Sequence, residues 1–390
     1  MITVSEARSR LFDLISPVPA EDVPLIGAAG RVLARDVVAR RDQPPFSASS
    51  MDGYALKAVE VEAHAMFRIV GESAAGHRFA GSVGPGQAVR IFTGAPMPEG
   101  ADFVVMQENV ERKGDVITLA DAPGTKDNVR RAGVDFTSGA TVDAPRVLRP
   151  EDIALLAAMN IASVPVARKP VVALISTGDE LVMPGDDPGP DQIIASNTFG
   201  LKAMLDNLGA EARMLPIAQD TEASLRTAFA LAEGADMVVT IGGASVGDHD
   251  LVGRVAGDLG LERSFYKILM QPGKPLMAGR LGGAAMVGLP GNPVSAMVCG
   301  YIFLAPMIRA MLGLGKAQPR LHQGVLAAAI GPNGPREHYL RARIDGGKVA
   351  AFDNQDSSLL SVLAQADALL VRPPDDPARE AGETVSYLPI

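Results

Sequence analysis

The sequence predicts a multidomain α/β and β protein, with a central parallel-sheet α/β domain, a β-rich domain inserted ahead of it and a small C-terminal β domain. The chain has 390 residues, which exceeds the size at which a single hydrophobic core keeps growing. Region 170–316 alternates apolar strand-like runs with helical patterns, an order typical of a parallel sheet with right-handed crossovers. On both sides of it, short apolar runs alternate with turn residues.

The first part of the chain predicts one helix, irregular structure and then a β domain. Thr3-Val4-Ser5-Glu6 has the pattern of a capping box that opens an amphipathic helix. Residues 47–137 contain short Val, Ile and Phe runs between glycine and proline clusters, which indicates a β-rich domain. Pro150 stands where a first helical turn would begin. We expect residues 1–46 and 138–170 to form one discontinuous, elongated domain.

The central domain, residues 171–316, is predicted element by element. Val171 to Ser176 is a continuous apolar run, typical of a strand buried on both faces. The following patterns predict a helix near 198–208, a strand near 211–217, a helix at 221–233, a strand from Met237 to Ile241 and a strand at 285–289. From about residue 317 short strands return, as in Thr384 to Leu388, so residues 317–390 are predicted to form the C-terminal β domain.

Composition argues against several classes of partner. The formal net charge is −9, Trp is absent and aromatic residues make up 4% of the chain, so nucleic acid is not an expected partner. Cys299 is the single cysteine and lies in an apolar stretch, where we expect it as a small buried side chain. The N-terminus has no signal-peptide pattern, and we expect a cytoplasmic protein.

One uncharged run, between Arg280 and Arg309, is long enough to cross a bilayer. However, Leu289-Pro290-Gly291-Asn292-Pro293 divides it into a short apolar strand and a helix. A buried strand, turn and helix is therefore predicted, and a membrane is not an expected partner.

Polar residues and glycines follow each predicted strand of the central domain. They are Thr177-Gly178-Asp179-Glu180, Asp220-Thr221, the run from Gly242 to Asp250, and Pro290-Gly291-Asn292-Pro293-Val294-Ser295. Ligands of doubly wound sheets bind beyond the carboxyl ends of the strands. Glycines let the backbone approach a ligand, and N–H groups at turns and helix starts attract anions. These features predict a site for an anionic, phosphate-bearing ligand.

The carboxylates of Glu180, Asp220, Asp248 and Asp250 would repel such an anion. A hard cation between them resolves the conflict, because Mg²⁺ usually joins one or two carboxylates to phosphates. Asp220 has an alternative interpretation as the cap of the next helix. His249 is expected to be a polar loop residue, because the histidines are not spaced as a metal set. No Walker-type motif is present, which argues against that class of nucleotide hydrolase.

Four motifs of the central domain resemble the molybdenum-cofactor-binding domain. They are Ser176-Thr-Gly-Asp-Glu-Leu181, Gly242-Gly-Ala-Ser-Val-Gly-Asp-His-Asp250, Gln271-Pro-Gly-Lys-Pro275 and Gly288-Leu-Pro-Gly-Asn-Pro-Val-Ser295. This domain also occurs in molybdopterin adenylyltransferases and in nicotinamide-nucleotide hydrolases. The central motifs alone therefore leave the enzyme open.

Motifs outside the central domain narrow the resemblance. Pro45-Phe46 with Ser50-Met-Asp-Gly-Tyr-Ala55, Phe92-Thr-Gly-Ala95 through Gln107-Glu108, Asn128 to Asp135 and Asn354 to Ser361 are similar to motifs of molybdopterin molybdenumtransferases. That family includes the catalytic end domain of gephyrin. The resemblance covers essentially the whole chain in the family's domain order, and it implies that the predicted α/β domain is a molybdopterin-binding domain.

The resemblance implies the last step of molybdenum cofactor synthesis, in which adenylylated molybdopterin is hydrolysed with release of AMP and molybdate enters the dithiolene. It implies Mg²⁺ as cofactor, a homodimer with shared active sites and apo-molybdoenzymes as possible recipients. The implied catalytic carboxylates are Asp52, Asp135, Glu180, Asp220 and Asp250, of which Glu180, Asp220 and Asp250 are the expected metal ligands. The expected substrate-binding residues are Thr93, Gly242, Gly243, Ser245, Lys267, Lys274, Pro290, Pro293, Arg341, Ser357 and Ser358.

The chain departs from the family's pattern at three places. Val134 replaces a usual acidic residue, Ser47-Ala48-Ser49 lacks a frequent Asp or Asn, and Gln271 stands where many members have lysine. Two other functions stay open at this point. One is a molybdopterin adenylyltransferase, which would need only the α/β domain. The other is a non-catalytic carrier of the finished cofactor, which would not need its acidic residues.

Overall fold

The computed structural model describes residues 1–122, 124–243 and 251–390. The chain divides into two compact units, the first formed by residues 1–21, 30–34 and 166–390, and the second by residues 22–29 and 35–165. The finer division into four domains stays a prediction.

A six-stranded sheet forms the centre of the first unit. Its strands lie in the order Glu211–Met214, Val171–Ser176, Met237–Ile241, Ala284–Leu289, Met277–Leu281 and Glu262–Tyr266. The first four run parallel, which confirms the predicted parallel sheet. Met277–Leu281 is antiparallel to both of its neighbours, a feature that the sequence did not predict. A glycine turn at residues 282–283 makes it a hairpin with the next strand, and hairpins require antiparallel strands.

The sheet separates two apolar cores. On one face Leu174, Val239 and Val287 belong to a cluster with Leu11, Leu201 and Phe303. On the other face Ala173, Val238 and Met286 cluster with Leu225 and Val255. Neighbouring residues of a strand point to opposite faces, so continuous apolar strands are required where helices cover both sides. The helices of this unit are Val4–Phe12, Asn197–Asn207, Glu222–Leu231, Leu251–Asp258, Pro293–Cys299, the π-helix Gly300–Leu304, Ala305–Met311 and Leu360–Leu363.

The uncharged segment predicted as a strand, turn and helix has that structure. The strand Ala284–Leu289 is followed by a helical stretch, Pro293–Met311, that is apolar and long enough to cross a membrane by composition alone. However, 78% of its most apolar window is buried inside the protein. Cys299 lies in this stretch and is fully buried, as expected.

The C-terminal β region is a closed barrel. Its strands follow the order Glu337–Asp345, Lys348–Ala351, His322–Leu326, Thr384–Pro389 and Ala368–Arg372, and the last strand pairs again with the first. Met270–Gln271 extends this sheet beside Glu337–Asp345. Closure leaves no open edge in the ring of strands.

Two short strands of the first unit, Leu181–Val182 and Ile193–Ile194, pair with each other.

The second unit contains the predicted β-rich domain. Its main sheet has the strand order Phe103–Met106, Gly53–Leu56, Gln87–Ile91, Met66–Ser73, Val116–Leu119 and Val110–Lys113. The remaining elements between residues 20 and 167 are short: strands Ala20–Pro24, Val32–Leu33, Val37–Val38, Ala48–Ser49, Val129–Arg130, Thr141–Val142, Arg146–Val147 and Ser163–Ala167, 3₁₀ turns Leu25–Gly27, Ala58–Glu60 and Gln107–Asn109, and helix Pro150–Ala158.

Candidate active site

A cavity of about 960 Å³ lies in the first unit, at the carboxyl ends of the parallel strands. It is the place where ligands of doubly wound sheets bind. Its lining includes the residues that follow Val171–Ser176, Met237–Ile241 and Ala284–Leu289. The structure brings together here these predicted site residues: Glu180, Asp220, Gly242, Gly243, Pro290, Pro293 and Ser358.

The glycines of the cavity have backbone shapes that other residues rarely adopt. Gly178 has a φ of 144°, and a Cβ added there would lie 2.3 Å from Glu180 Oε2. The carboxylate of Glu180 therefore lies directly against the backbone of Gly178. Gly242 and Gly243 have φ values of 92° and 65°, and a Cβ on Gly243 would lie 2.3 Å from a methyl of Val252. Only glycine fits these positions without displacing the cavity wall.

Asp220 is the carboxylate whose surroundings oppose its charge most clearly. Burial, followed by the negative charges of Asp179 and Glu180, raises the pKa of Asp220. Its backbone N–H donates to Asp179 Oδ1 at 3.0 Å. The alternative role of Asp220 as a helix cap is wrong, because Thr221 is the N-cap and accepts a hydrogen bond from the Ser224 N–H. Its carboxylate is thus left to the cavity.

A divalent cation fits the donors present. Glu180 and Asp220 both line the cavity, and a cation would offset the repulsion that raises the pKa of Asp220. No group of three or more His, Cys, Asp or Glu side chains in the described ranges could hold a metal by itself. Two carboxylates nevertheless match Mg²⁺, which usually takes its other ligands from water and substrate phosphates. The predicted residues Ser245 and Asp250, and also Asp248 and His249, lie outside the described residues.

Several cavity residues had no catalytic, substrate-binding or metal-binding role assigned from the sequence. Thr177, Asn197, Arg254, Asn292 and Ser295 line it as well. Asn197 Nδ2 donates to the Gly291 carbonyl at 2.7 Å and so holds the turn after the last parallel strand. Thr177, Asn292 and Ser295 lie within the sequence motifs that carry the resemblance, and these motifs could have identified them. Arg254 lies outside them, and its place on a helix facing the cavity depends on the fold.

The turn at residues 354–358 is attached to this wall. Asn292 Nδ2 donates to Ser357 Oγ at 2.9 Å, and the Val294 N–H donates to the Ser357 carbonyl at 3.1 Å. Ser358 Oγ donates to Asp356 Oδ1 at 2.7 Å, and this bond with that from the Ser358 N–H lowers the pKa of Asp356. Of the two predicted serines, Ser358 lines the cavity and Ser357 supports it.

Arg341 is almost completely buried, with 1% of its surface exposed. Its Nε donates to Gln355 Oε1 at 3.0 Å and its Nη1 to the Asp356 carbonyl at 2.7 Å. Burial lowers the pKa of Arg341, against the charge of Asp356. The guanidinium therefore orders the 354–358 turn in this structure, and its contact with molybdate stays a prediction.

The two predicted lysines do not line the cavity. Lys267 has a φ of 68°, and its ammonium lies 5.1 Å from the ring centre of Tyr266. Lys274 is exposed, one residue before the cavity residue Pro275.

Gln271, at the position where family members often have lysine, accepts a hydrogen bond from Arg336 at 2.8 Å. The loop that carries Gln271 and Lys274 thus gains a neighbouring positive charge from Arg336.

The remaining predicted residues belong to the second unit. Thr93 donates its N–H and its hydroxyl to Asp52 Oδ1 at 2.7 and 2.8 Å. These two bonds, with the charge of Arg90, lower the pKa of Asp52. Asp135 is exposed, as is its neighbour Val134, and its backbone N–H donates to the Gln43 carbonyl at 3.0 Å. The carboxylate of Asp52 is therefore held by two hydrogen bonds from Thr93, whereas the carboxylate of Asp135 is exposed.

Comparison with known proteins gives a consistent result along the whole chain. Residues 2–160 match the MoeA N-terminal region (domain I and II), residues 173–310 match the probable molybdopterin binding domain, and residues 323–390 match the MoeA C-terminal region (domain IV). The chain is 35% identical to a molybdopterin molybdenumtransferase of Haemophilus influenzae, covering 100% of this chain and 98% of that protein. It is 34% identical to one of Nostoc sp., covering 100% and 94%.

A solved structure agrees with these matches. The molybdopterin biosynthesis MoeA protein of Pyrococcus horikoshii superimposes with a TM-score of 0.87 at 29% identity, covering 100% of this chain and 99% of that one. The multidomain α/β and β architecture is therefore that of MoeA. Together with the relatives that match along their full length, it shows that the chain belongs to the molybdopterin molybdenumtransferase family.

Proposed function

We propose that this chain inserts molybdenum into molybdopterin in molybdenum cofactor biosynthesis, with adenylylated molybdopterin and molybdate as substrates and AMP as a product. The observation that carries the proposal is the match to curated molybdopterin molybdenumtransferases over 100% of the chain. The cavity supports the proposed binding of a phosphate-bearing substrate, because glycine turns and carboxylates meet there at the ends of parallel strands.

Mg²⁺ is the proposed cofactor. Glu180 and Asp220 would hold it, with Asp250 as the third expected ligand. Bound there, the ion would polarise the phosphate at which adenylylated molybdopterin is cleaved. The chain's own part is to keep the two carboxylates at one edge of the sheet, Glu180 against Gly178 and Asp220 ahead of the helix capped by Thr221. Gly242 and Gly243 add no side chains to the cavity wall beside Thr177.

Molybdate is a dianion and needs hydrogen-bond donors and positive charge. Ser358, with Lys267 and Lys274, would supply them, and Ser357 and Arg341 hold the turn that carries Ser358. Arginine offers a forked, planar set of donors that lysine cannot reproduce. A rearrangement that exposes Arg341 would let it bind the oxyanion directly.

The proposed assembly is a cytoplasmic homodimer with shared active sites. Asp52, Thr93 and Asp135 would complete the site of the other subunit, and apo-molybdoenzymes would receive the product. Support comes from the exposed carboxylate of Asp135 and from the two hydrogen bonds of Thr93, which lower the pKa of Asp52.

One reconstitution experiment tests the function. Purified protein is incubated with adenylylated molybdopterin, Mg²⁺ and molybdate, and both AMP release and activation of an apo-molybdoenzyme are followed. Molybdate-dependent AMP release is the expected result. Consumption of ATP with molybdopterin would identify an adenylyltransferase instead. Cofactor binding without AMP release under any metal condition would identify a carrier.

A further inference from the structure

Two threonine hydroxyls of the central sheet are buried without a hydrogen-bond partner in the described part of the protein. They are Thr177 Oγ1 and Thr240 Oγ1, in residues that are 3% and 0% exposed. A buried polar group without a partner destabilises the folded protein. Thr177 differs from Thr240 in one respect, since it lines the cavity and Thr240 does not. Its neighbour Ser176 is paired with Thr198.

The Thr177 hydroxyl lies close to two glycines of the cavity, Gly242 and Gly243. A Cβ built on Gly243 would lie 3.0 Å from Thr177 Oγ1, and one built on Gly242 would lie 3.2 Å away. The hydroxyl therefore lies buried beside the backbone of these two glycines, in a residue that lines the cavity. The backbone N–H of Thr177 already donates to the Ile241 carbonyl at 3.0 Å. The hydroxyl is therefore the donor of Thr177 that could bind a ligand.

We infer that Thr177 is a substrate-binding residue whose hydroxyl donates a hydrogen bond to a phosphate oxygen of the substrate. The inference rests on the proposed function for the identity of that substrate, a pterin joined to adenosine through a pyrophosphate. A phosphate oxygen is a pure acceptor, so it suits a free hydroxyl donor. The neutral hydroxyl also adds no charge to a cavity that Glu180 and Asp220 already line.

Binding of ADP in the presence of Mg²⁺ tests this inference, because ADP carries adenosine on a pyrophosphate. Titration calorimetry compares the wild type with Thr177→Val, which keeps the shape and removes the hydroxyl, and Thr177→Ser, which keeps the hydroxyl. Hydrogen bonds to charged groups contribute about 1.5–3 kcal/mol. We therefore expect Thr177→Val to weaken ADP binding by roughly ten- to a hundredfold and Thr177→Ser to restore it to within about twofold.

Thr240→Val is the matched control. It removes the other unpaired hydroxyl away from the cavity, and it is expected to leave ADP binding unchanged. Both valine variants should be at least as thermostable as the wild type, because each removes a buried group without a partner. Thr177→Ala provides a second variant without the hydroxyl should Thr177→Val fail to fold.

Three outcomes would each overturn the inference. Thr177→Val could bind ADP as tightly as the wild type, Thr177→Ser could lose as much affinity as Thr177→Val, or the wild type could fail to bind ADP. The proposed function is tested separately by molybdate-dependent AMP release in the wild type. If that activity is absent while Thr177→Val selectively loses ADP, the function is wrong and the role of Thr177 stands. If the activity is present and its KM is the same in Thr177→Val, the role of Thr177 is wrong and the function stands.

Discussion

Gly178 leaves room for the carboxylate of Glu180. Its φ of 144° is unfavourable for other residues, and a Cβ would fall 2.3 Å from Glu180 Oε2. We expect Gly178→Ala to push Glu180 away from its position and to lower the rate of AMP release at least tenfold. The strained backbone should cost about 1–3 kcal/mol of folding free energy. Activity assays and chemical denaturation measure the two effects.

The control for that substitution is Gly257→Ala on the helix Leu251–Asp258. Apart from the backbone of its own helix, no atom of the described residues lies within 4 Å of a Cβ added to Gly257. Alanine in a helix is favoured over glycine by roughly 0.5–1 kcal/mol. This variant should be slightly more stable and fully active. An equal loss of activity in both variants would mean that Gly178 has no special part in the site.

We expect Asp220 to be needed for activity and to lower the stability of the folded protein. Its raised pKa means that the ionised carboxylate destabilises the folded protein at neutral pH. Asp220→Ala should therefore keep or raise the melting temperature while lowering molybdate-dependent AMP release by about 10²-fold or more. Removal of Mg²⁺ by EDTA should abolish the wild-type activity, and added Mg²⁺ should restore it.

Asp179→Ala tests whether the effect belongs to Asp220 in particular. Asp179 accepts the Asp220 N–H but does not line the cavity. We expect this variant to retain most of the activity. If Asp220→Ala retains full activity, or if the wild type stays active after EDTA treatment, the proposed metal site is wrong.

At the scale of elements, one ion pair connects the starts of two parallel strands. Arg168 donates to both oxygens of Asp236 at 2.8 Å, and the Val171 N–H donates to the same carboxylate at 2.7 Å. Burial raises the pKa of Asp236, but these hydrogen bonds and the charge of Arg168 outweigh burial and lower it overall. The pair thus fixes the strand Val171–Ser176 beside Met237–Ile241, and both strands lead into the cavity.

This pair predicts a pH dependence of stability. Because the pKa of Asp236 is lowered on folding, its contribution is fully present above the unfolded pKa of about 3.9. It is lost as the pH falls through the lower folded pKa. Asp236→Asn should lower the free energy of unfolding by about 1–3 kcal/mol at pH 7, and the difference from wild type should shrink below about pH 4.

Urea denaturation between pH 2.5 and 7 measures this difference. Glu211→Gln is the control, since the pair of Glu211 with Arg213 is exposed and such pairs contribute about 0–1 kcal/mol. A constant difference between Asp236→Asn and wild type over the whole pH range would contradict the assignment to this carboxylate.

For the whole molecule, the main prediction concerns active sites shared between two chains. Asp52→Ala and Asp220→Ala variants, each inactive alone, are unfolded together or coexpressed so that mixed dimers form. If Asp52 acts in the site of the other subunit, random mixing should restore about a quarter of the wild-type activity, because half of the dimers are mixed and each has one intact site. No recovery in mixed dimers of verified composition would place both residues in the same chain's site.

The local elements were predictable because their signals are local. The strand Val171–Ser176 has the predicted bounds, since a run of apolar β-branched residues favours a strand wherever it is buried. Thr3 caps the first helix as its motif indicates, and the helix of the central domain predicted at 221–233 runs from Glu222 to Leu231. The motifs also indicated which residues follow each strand, and the parallel order then placed Glu180, Asp220 and Gly242 together.

The sequence by itself therefore determined the strands, the turns and the residues that follow them, along with the family. Only the tertiary structure decided the antiparallel Met277–Leu281, the closure of the C-terminal barrel, the burial of Arg341 and the cap by Thr221 in place of Asp220. It also showed that Thr177 lines the cavity and that its buried hydroxyl has no hydrogen-bond partner among the residues that the structure describes. The physical reason is that burial and hydrogen-bond pairing depend on residues distant in sequence, which no local pattern records.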